Sequence, residues 1–130
     1  MAELPPDVRA LAEGPNHAHV ATLMPDGAPH SVPVWITEED GRLAFLTGPG
    51  SRKARNLDRD PRVAISITAH DNPFTMAAIR GRATERLEGE PAWQLVDRMS
   101  VKYTGRPYPR EEERVVYLVD VEHSTTMKFG

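Results

Sequence analysis

The sequence predicts a mainly β domain, an antiparallel closed or half-closed barrel with a few short helices. Segments with the composition of strands outnumber helical segments. Tight turns join most of these strands, so no room is left for the crossover helices that a doubly wound parallel sheet needs. The 130 residues, 39% hydrophobic and 27% charged, fit a single domain at 1–130 with an ordered core at about 5–122.

The first elements are a short helix and a hairpin. Residues 5–7, Pro-Pro-Asp, are typical of a helix start, and Gly-Pro at 14–15 ends the helix. Residues 17–24 and 30–36 have the alternation of strands, and Pro-Asp-Gly at 25–27 forms a turn between them. The two strands are therefore predicted to pair with each other.

Pro33 interrupts the second predicted strand. A proline has no N–H for the ladder of hydrogen bonds, which places it at a sheet edge, a bulge or a barrel rim. Backbone at an edge or rim is free to contact a ligand, so this strand is a candidate wall for a binding site.

Three further strands follow. Turn residues at 38–41 precede a strand at 42–47, and residues 62–68 form a strand rich in β-branched side chains. A second turn at 70–73 leads into a strand at 75–85, in which Gly81 indicates a bend or a close backbone contact.

A helix and a strand complete the predicted fold. Apolar residues recur at helical spacing from about Pro91 to Tyr103. A proline-rich loop at 104–109 follows, and the final strand is predicted at 114–121.

The stretch at 47–57 runs from the end of a strand through a glycine-rich turn into a helix. Ser51 is a suitable N-cap, and Arg52 and Lys53 fall in the first helical turn. This charge is unfavourable, because the free N–H groups there already carry partial positive charge. A bound phosphate would resolve the conflict, since amides, a hydroxyl and two cations converge on one spot. The alternative is a solvated basic helix start balanced by a distant acid.

Composition excludes several classes of function. The formal net charge is −3, which disfavours general nucleic-acid binding. Without cysteine the chain has no disulfides, thiolate catalysis or cysteine-bound metal clusters. The start of the sequence lacks signal-peptide features and no apolar run is long enough to cross a membrane, so we expect a cytoplasmic protein without membrane partners. A chain of this size gains core by sharing a face with a second copy.

Histidines and aromatic residues give weaker signals. His17 and His19 alternate on one strand face, yet no third ligand has matching spacing, so we predict no metal site. Trp93 and Met99 are expected in core or dimer packing. For Trp35 the sequence leaves two alternatives, stacking on a cofactor or burial in the barrel.

The order of these motifs resembles the pyridoxamine 5′-phosphate oxidase-like split β-barrel superfamily, a group of flavin and deazaflavin proteins. The resemblance rests on the hairpin at 20–35, on the segment at 45–54 and on the segment at 56–63, and it covers about residues 8–122. Its most specific part is Gly-Ser-Arg-Lys-Ala at 50–54 followed by Asp-Pro-Arg-Val at 60–63. It implies a split β-barrel of the FMN-binding, Greek-key type.

Segments at 71–74, 79–83, 102–109 and 113–116 resemble the branch of the superfamily that uses the deazaflavin F420. Residues 124–130 lack the arginine-rich end with which the name-giving oxidases hold pyridoxal substrates, so pyridoxine metabolism is not expected. The phosphate motif is shared with users of flavin mononucleotide (FMN), which stays the alternative cofactor.

The resemblance also implies a set of cofactor-binding residues, while no catalytic residue is predicted. Arg52 and Lys53 match the positions that hold the cofactor phosphate, and Thr47 and Ser51 match neighbouring hydroxyl contacts. Similar proteins are homodimers with a cofactor in each of two clefts between subunits. The other matched positions are His30, Ser31, Val32, Pro33, Val34, Trp35, Leu46, Asn56 and Met76; Tyr103, Arg106 and Tyr108 are expected to reach the cofactor of the second subunit.

The resemblance implies an F420-dependent reductase that transfers hydride to an electron-poor small molecule such as an enone, a quinone or a conjugated tetrapyrrole-like compound. The cofactor carries out the difficult step, so no resident nucleophile is required. The proton that completes the reduction comes from solvent, His30 or Tyr108. The alternatives are an FMN-dependent oxidoreductase and a non-catalytic flavin or deazaflavin carrier.

Overall fold

The computed structural model describes residues 4–128, which form three helices and seven strands. The helices are α1 (Pro6–Glu13), α2 (Arg52–Arg59) and α3 (Gly89–Thr104). The strands are β1 (His17–Leu23), β2 (Pro29–Val34), β3 (Ile36–Glu39), β4 (Arg42–Thr47), β5 (Arg62–Thr68), β6 (Thr75–Leu87) and β7 (Val115–Lys128). No helix among the described residues has the length and apolar character needed to cross a membrane.

All seven strands belong to one antiparallel sheet with the order β2-β1-β5-β6-β7-β4-β3. β2 and β3 are the two edges of this sheet, yet only Trp35 separates them in the chain. Val34 still pairs with Ala18 of β1, whereas Ile36 already pairs with Phe45 of β4. The sheet must therefore curl until its edges meet at Trp35. The predicted half-closed antiparallel barrel is confirmed.

The predicted hairpin is present, since β1 and β2 pair from Leu23 opposite Pro29 to Ala18 opposite Val34. Pro33 lies on the edge strand, as predicted. The prediction of one strand at 30–36 is wrong, because the chain leaves β1 after Val34 and joins β4 from Ile36. One strand cannot pair at both edges of the sheet, so it breaks at Trp35.

The last strand is longer than the predicted 114–121 and reaches Lys128. Its second half pairs with the first half of β6, for example Thr125 with Ala78. Most side chains in this half are exposed and polar. Its sequence therefore lacks the apolar alternation that identifies a half-buried strand.

Gly81 lies where the pairing of β6 with β7 shifts register. A Cβ atom at this position would be 2.2 Å from the carbonyl oxygen of Asp120. The close backbone contact predicted from the sequence is confirmed, and it marks a β-bulge that bends the two longest strands.

Two hydrophobic clusters hold the domain together. The larger one packs α1 and α2 against the sheet and includes Ile36, Phe45 and Ile67, all 0% exposed. The smaller one lies between α3 and the opposite face of β4 and β7, where Met99 packs with Val116. Trp93 and Met99 both pack in this second cluster, which confirms their packing role.

α2 is fastened to the sheet by Tyr117 of β7. The Tyr117 hydroxyl donates to a carboxylate oxygen of Asp58 (2.9 Å) and accepts a hydrogen bond from Arg86 Nη1 (3.1 Å). Its ring stacks on Phe45 with 5.8 Å between ring centroids. These contacts fix the helix whose first turn carries Arg52 and Lys53.

This contact predicts a loss of stability in alkaline solution. Burial, and then the hydrogen bond to Asp58, raise the pKa of Tyr117 to about 12. An unfolded tyrosine ionises near pH 10. The neutral Tyr117 hydroxyl therefore makes its full contribution to the free energy of unfolding below about pH 10. This contribution is lost as the pH rises toward 12.

We expect Tyr117→Phe to lower the free energy of unfolding by about 1–2 kcal/mol at neutral pH, because a buried hydrogen-bonding hydroxyl is removed. Urea unfolding of both proteins between pH 7 and about pH 12 measures this. The difference between the proteins should shrink above about pH 10. A difference in unfolding free energy that stays constant from pH 7 to about pH 12 would contradict a raised pKa of Tyr117 in the folded protein.

Candidate functional site

An open cleft of about 1040 Å³ lies where the ends of several strands meet. Its walls come from the start of β1, the ends of β2 and β4, the first turn of α2 and the loop after α3. The predicted site residues that line it are Pro33, Val34, Trp35, Leu46, Thr47 and Lys53. Residues not in the predicted set also line it, among them His17, His19, Gly48, His70 and Arg114.

The N-terminus of α2 has the predicted cap. Ser51 Oγ accepts a hydrogen bond from the Ala54 amide at 3.2 Å. The same oxygen lies 2.8 Å from Thr47 Oγ1. The first turn of α2 contains no acidic residue, so the partial positive charge of the helix end is not offset from within the helix.

Lys53 is half-buried on the cleft wall. Burial lowers the pKa of its ammonium group, which means that the charged form is held at a cost. Within residues 4–128 neither Lys53 nor Arg52 takes part in an ion pair. The distant acid that would balance a basic helix start is therefore not found in the described part of the chain.

Together these groups pass a test for fit to a phosphate. The donors are a half-buried ammonium, the one O–H that the mutual hydrogen bond of Thr47 and Ser51 leaves free, and the helix amides that the Ser51 cap does not use, all at or next to the cleft wall. Such donors suit a dianion that enters from solvent. Arg52 does not line the cleft, so Lys53 is the cation of the pair that faces it.

Arg114 is a second cation of the cleft, and the sequence interpretation missed it. Its Nη1 atom lies 4.0 Å from the place where a Cβ on Gly48 would be. Arg114 Nε donates to the Tyr108 hydroxyl (3.1 Å), and its ion pair is with Glu112, whose side chain is 77% exposed. Thr47 pairs with Val115 across β4 and β7, and this long-range register brings Arg114 beside Gly48. No local signal in the sequence reveals it.

Trp35, Tyr103 and Tyr108 form an aromatic wall. The rings of Trp35 and Tyr103 stack at 5.4 Å with an interplanar angle of 9°, and Tyr108 meets Trp35 edge-on at 5.9 Å. The Tyr103 hydroxyl donates to the Asn16 carbonyl oxygen at 2.7 Å. Trp35 thus lies on the cleft wall and packs against the second hydrophobic cluster rather than inside the barrel. Tyr103 and Tyr108 line the cleft of their own chain.

Asn56 is not brought to the cleft. Its side chain is 0% exposed, and Nδ2 donates to Thr22 Oγ1 at 3.0 Å and to Met24 Sδ at 3.6 Å. The helical period turns this position toward the sheet, so it anchors α2. Met76 lies on β6 between Thr68 and Met127 and does not line the cleft.

The rest of the predicted set also lies outside the cleft lining. His30 and Val32 are half-buried on β2, and the Nδ1 atom of His30 is buried without a hydrogen-bond partner in the described structure. Ser31 faces the other side of β2 and lines a smaller depression together with His19. Ser51 contacts the cleft residue Thr47 through its hydroxyl. The residues outside the lining are His30, Ser31, Val32, Ser51, Arg52, Asn56, Met76 and Arg106.

A pair of histidines completes the lining. His17 Nε2 and His70 Nδ1 lie 3.1 Å apart, and both rings are exposed. Among residues 4–128 no group of three or more histidine, cysteine, aspartate and glutamate side chains is arranged to hold a metal ion.

Comparison with known proteins places the chain in one family. A search of curated proteins gave no match. A solved structure named F420 reductase is 26% identical with a TM-score of 0.80, covering 94% of this chain and 98% of that protein. A conserved hypothetical protein, Rv2991 from Mycobacterium tuberculosis, is also 26% identical, with a TM-score of 0.72 and coverages of 98% and 85%.

A pyridoxamine 5′-phosphate oxidase-related, FMN binding protein from Nostoc punctiforme shares the fold at 16% identity, with a TM-score of 0.67 and coverages of 88% and 74%. The family model described as pyridoxamine 5′-phosphate oxidase matches residues 4–128, nearly the whole chain. The split-barrel architecture, the capped basic helix and this match together show that the chain belongs to the pyridoxamine 5′-phosphate oxidase family.

Proposed function

We propose that this protein binds the deazaflavin F420 in the cleft and is an oxidoreductase that transfers hydride from the reduced cofactor to an electron-poor small molecule. The observation that carries the proposal is Lys53, a half-buried cation on the cleft wall without an ion pair in residues 4–128. The likeness to a structure named F420 reductase over nearly the full length of both chains supports the choice of cofactor.

Lys53, Thr47 and Ser51 are the residues that would hold the cofactor phosphate. The ammonium group supplies charge, the linked hydroxyls supply a hydrogen bond, and the amides of the same first turn that the Ser51 cap leaves free add donors. Arg114 stands beside Gly48 and adds positive charge to this part of the wall. When bound, the cofactor supplies two-electron hydride chemistry.

The end of β2 is the proposed wall for the ring system. β2 is an edge strand, so the backbone groups on its outer side are not used by a neighbouring strand. Pro33 and Val34 line the cleft there, and Trp35 with its stacked partner Tyr103 extends the apolar surface. A flat conjugated ring suits this combination of free backbone and aromatic side chains.

We also propose a homodimer in which a second copy closes each cleft. The cleft is open to one side, and the adjacent outer face of β1, β2 and β5 carries small side chains such as Ala21, Ser31 and Ala64. Small side chains on this face permit close approach of another sheet. Sedimentation velocity should give twice the mass of the chain, and a monomer at micromolar concentration would contradict the dimer.

The cofactor assignment is tested by titrating the purified protein with F420 and, separately, with FMN, following the fluorescence of each. We expect saturable binding of F420 with a dissociation constant in the micromolar range or below, about −8 kcal/mol. Tight FMN binding without F420 binding would establish the flavin alternative. Binding of reduced F420 without oxidation by any of a panel of enones and quinones would establish a carrier instead of an enzyme.

A further inference from the structure

The hydrogen-bonded histidines at the start of β1 and after β5 have no role in holding a phosphate. His17 Nε2 lies 3.1 Å from His70 Nδ1, and the ring centroids are 5.2 Å apart. Both residues line the cleft, His17 at the start of β1 and His70 in the loop after β5, whereas Lys53 belongs to α2 and Arg114 to the loop before β7. The sequence interpretation paired His17 with His19, but the sheet places His70 against His17 instead.

The pair is held in position from two sides. The His70 amide donates to Asn16 Oδ1 at 2.9 Å, and Asn16 Nδ2 donates to the Leu11 carbonyl oxygen of α1 at 2.9 Å. The carbonyl oxygen of Asn16 accepts from the Tyr103 hydroxyl at 2.7 Å. The segment that carries the pair is thereby fixed both to α1 and to the aromatic wall of the cleft.

The hydrogen bond between two imidazoles limits their charge. One of the two facing nitrogens must carry the hydrogen and the other must offer a lone pair, so at most one of the two rings is protonated while the bond persists. Histidine is the side chain that exchanges a proton near neutral pH. The exposed pair can therefore donate an N–H proton to a bound group and recover it from water.

Tyr103 and Lys53, two other proton donors of the cleft, are engaged elsewhere. Burial raises the pKa of Tyr103, whose proton is donated to a backbone carbonyl. The Tyr108 hydroxyl accepts a hydrogen bond from Arg114 and keeps its own O–H, so it is the alternative proton source that unchanged histidine variants would indicate. Lys53 belongs to the proposed phosphate site, and His30, the earlier candidate for the proton, lies outside the cleft lining.

We propose that the His17–His70 pair supplies the proton that completes the reduction of the acceptor, which makes a conjugated carbonyl compound the fitting class of substrate. This inference rests on the proposed function. An enone accepts a hydride with both electrons at its β-carbon, the π electrons move onto the carbonyl oxygen, and an enolate forms. The proton of the pair moves to the enolate, the pair takes a proton from water, the acceptor is reduced by two electrons and the cofactor is oxidised by two.

Other ionisable groups surround the pair and contribute to any pH profile. They line this cleft or an adjoining cleft of about 510 Å³ that shares His70. They are His19 on β1, Asp7 on α1, Lys53 on α2, Tyr103 on α3, Asp71 after β5, Lys128 on β7, and Tyr108 and Arg114 in the loop after α3.

The variants His17→Gln and His70→Gln test the proposal, with His123→Gln as the matched control. Glutamine keeps hydrogen-bonding capacity but has no proton to transfer at neutral pH. His123 is an exposed histidine on β7 that does not line the cleft. It does line the depression on the proposed dimer face, so sedimentation velocity first checks that His123→Gln keeps the wild-type mass, and the variant then controls for the removal of a surface imidazole. All three positions are exposed, and folding is not expected to depend on them.

The decisive readout is the binding of para-nitrophenolate, an enolate mimic with a visible absorbance, to protein loaded with oxidised F420. We expect each cleft variant to bind it at least about tenfold more weakly, as for loss of one charge-assisted hydrogen bond. The affinities are compared at one fixed pH, because para-nitrophenol itself ionises in the same range as an imidazole. The control should behave as the wild type.

Turnover supplies a second readout. With cyclohexenone as acceptor, the variants should lose kcat by at least about tenfold while keeping the wild-type affinity for F420. Unchanged phenolate binding and unchanged turnover in both variants would overturn the inference. A wild-type protein without affinity for F420 would instead refute the proposed function, so the two failures are distinguishable.

Discussion

Lys53→Ala is expected to weaken the binding of F420 by about 1.5–3 kcal/mol, equivalent to roughly 10- to 150-fold in the dissociation constant. The ammonium group is half-buried on the cleft wall, and burial already lowers its pKa. A phosphate beside it would form a charge-assisted hydrogen bond in partly desolvated surroundings, where such contacts are strongest. Fluorescence titration of wild type and variant measures the loss directly.

The same substitution should leave the stability of the free protein nearly unchanged. Removing an ammonium group that has no ion pair within residues 4–128 relieves a desolvation penalty, so the free energy of unfolding should change by less than about 1 kcal/mol. Arg55→Ala is the matched control, because Arg55 is an exposed cation of the same helix outside the cleft lining. Equal losses of affinity in the two variants would show that only general charge attracts the cofactor.

Gly81→Ala is expected to destabilise the fold by at least about 3 kcal/mol. The added Cβ would lie 2.2 Å from the carbonyl oxygen of Asp120, which is backbone and has no rotamer with which to move away. β6 and β7 would have to separate at the bulge that bends them. Because these strands form the longest pairing in the sheet, the damage would spread through the main core.

Urea unfolding of Gly81→Ala measures this loss, and Gly50→Ala provides the control. A Cβ at Gly50 would meet nothing within 4 Å, and Gly50 is not among the residues with positive φ. The control should therefore unfold within about 0.5 kcal/mol of the wild type. If Gly81→Ala were equally mild, the strands would have to pair differently from the structure described above.

Local chemistry allowed much of the fold and part of the site to be predicted. The β1–β2 hairpin follows from alternation around a turn, and the Ser51 cap follows from a hydroxyl placed directly before a helical segment. Lys53 was found because its charge conflicts with the helix end, and that conflict is visible within a few residues. Gly81 was found because an isolated glycine in a strand marks a bulge or a close contact.

Long-range register explains what the sequence did not reveal. The break at Trp35 depends on where two sheet edges meet, and Arg114 reaches Gly48 only through the pairing of β4 with β7. His70 meets His17 because β1 lies beside β5. Asn56, which the resemblance placed among the cofactor-binding residues, is instead turned toward the sheet by the packing of α2.

A crystal structure of the protein with F420 tests the central claim most directly. We predict that the cofactor phosphate lies at the N-terminus of α2, with an oxygen about 2.8 Å from Lys53 Nζ, and that the ring lies along the end of β2 beside Pro33. A cofactor phosphate bound away from α2, with the Lys53 ammonium group still facing solvent, would contradict the account.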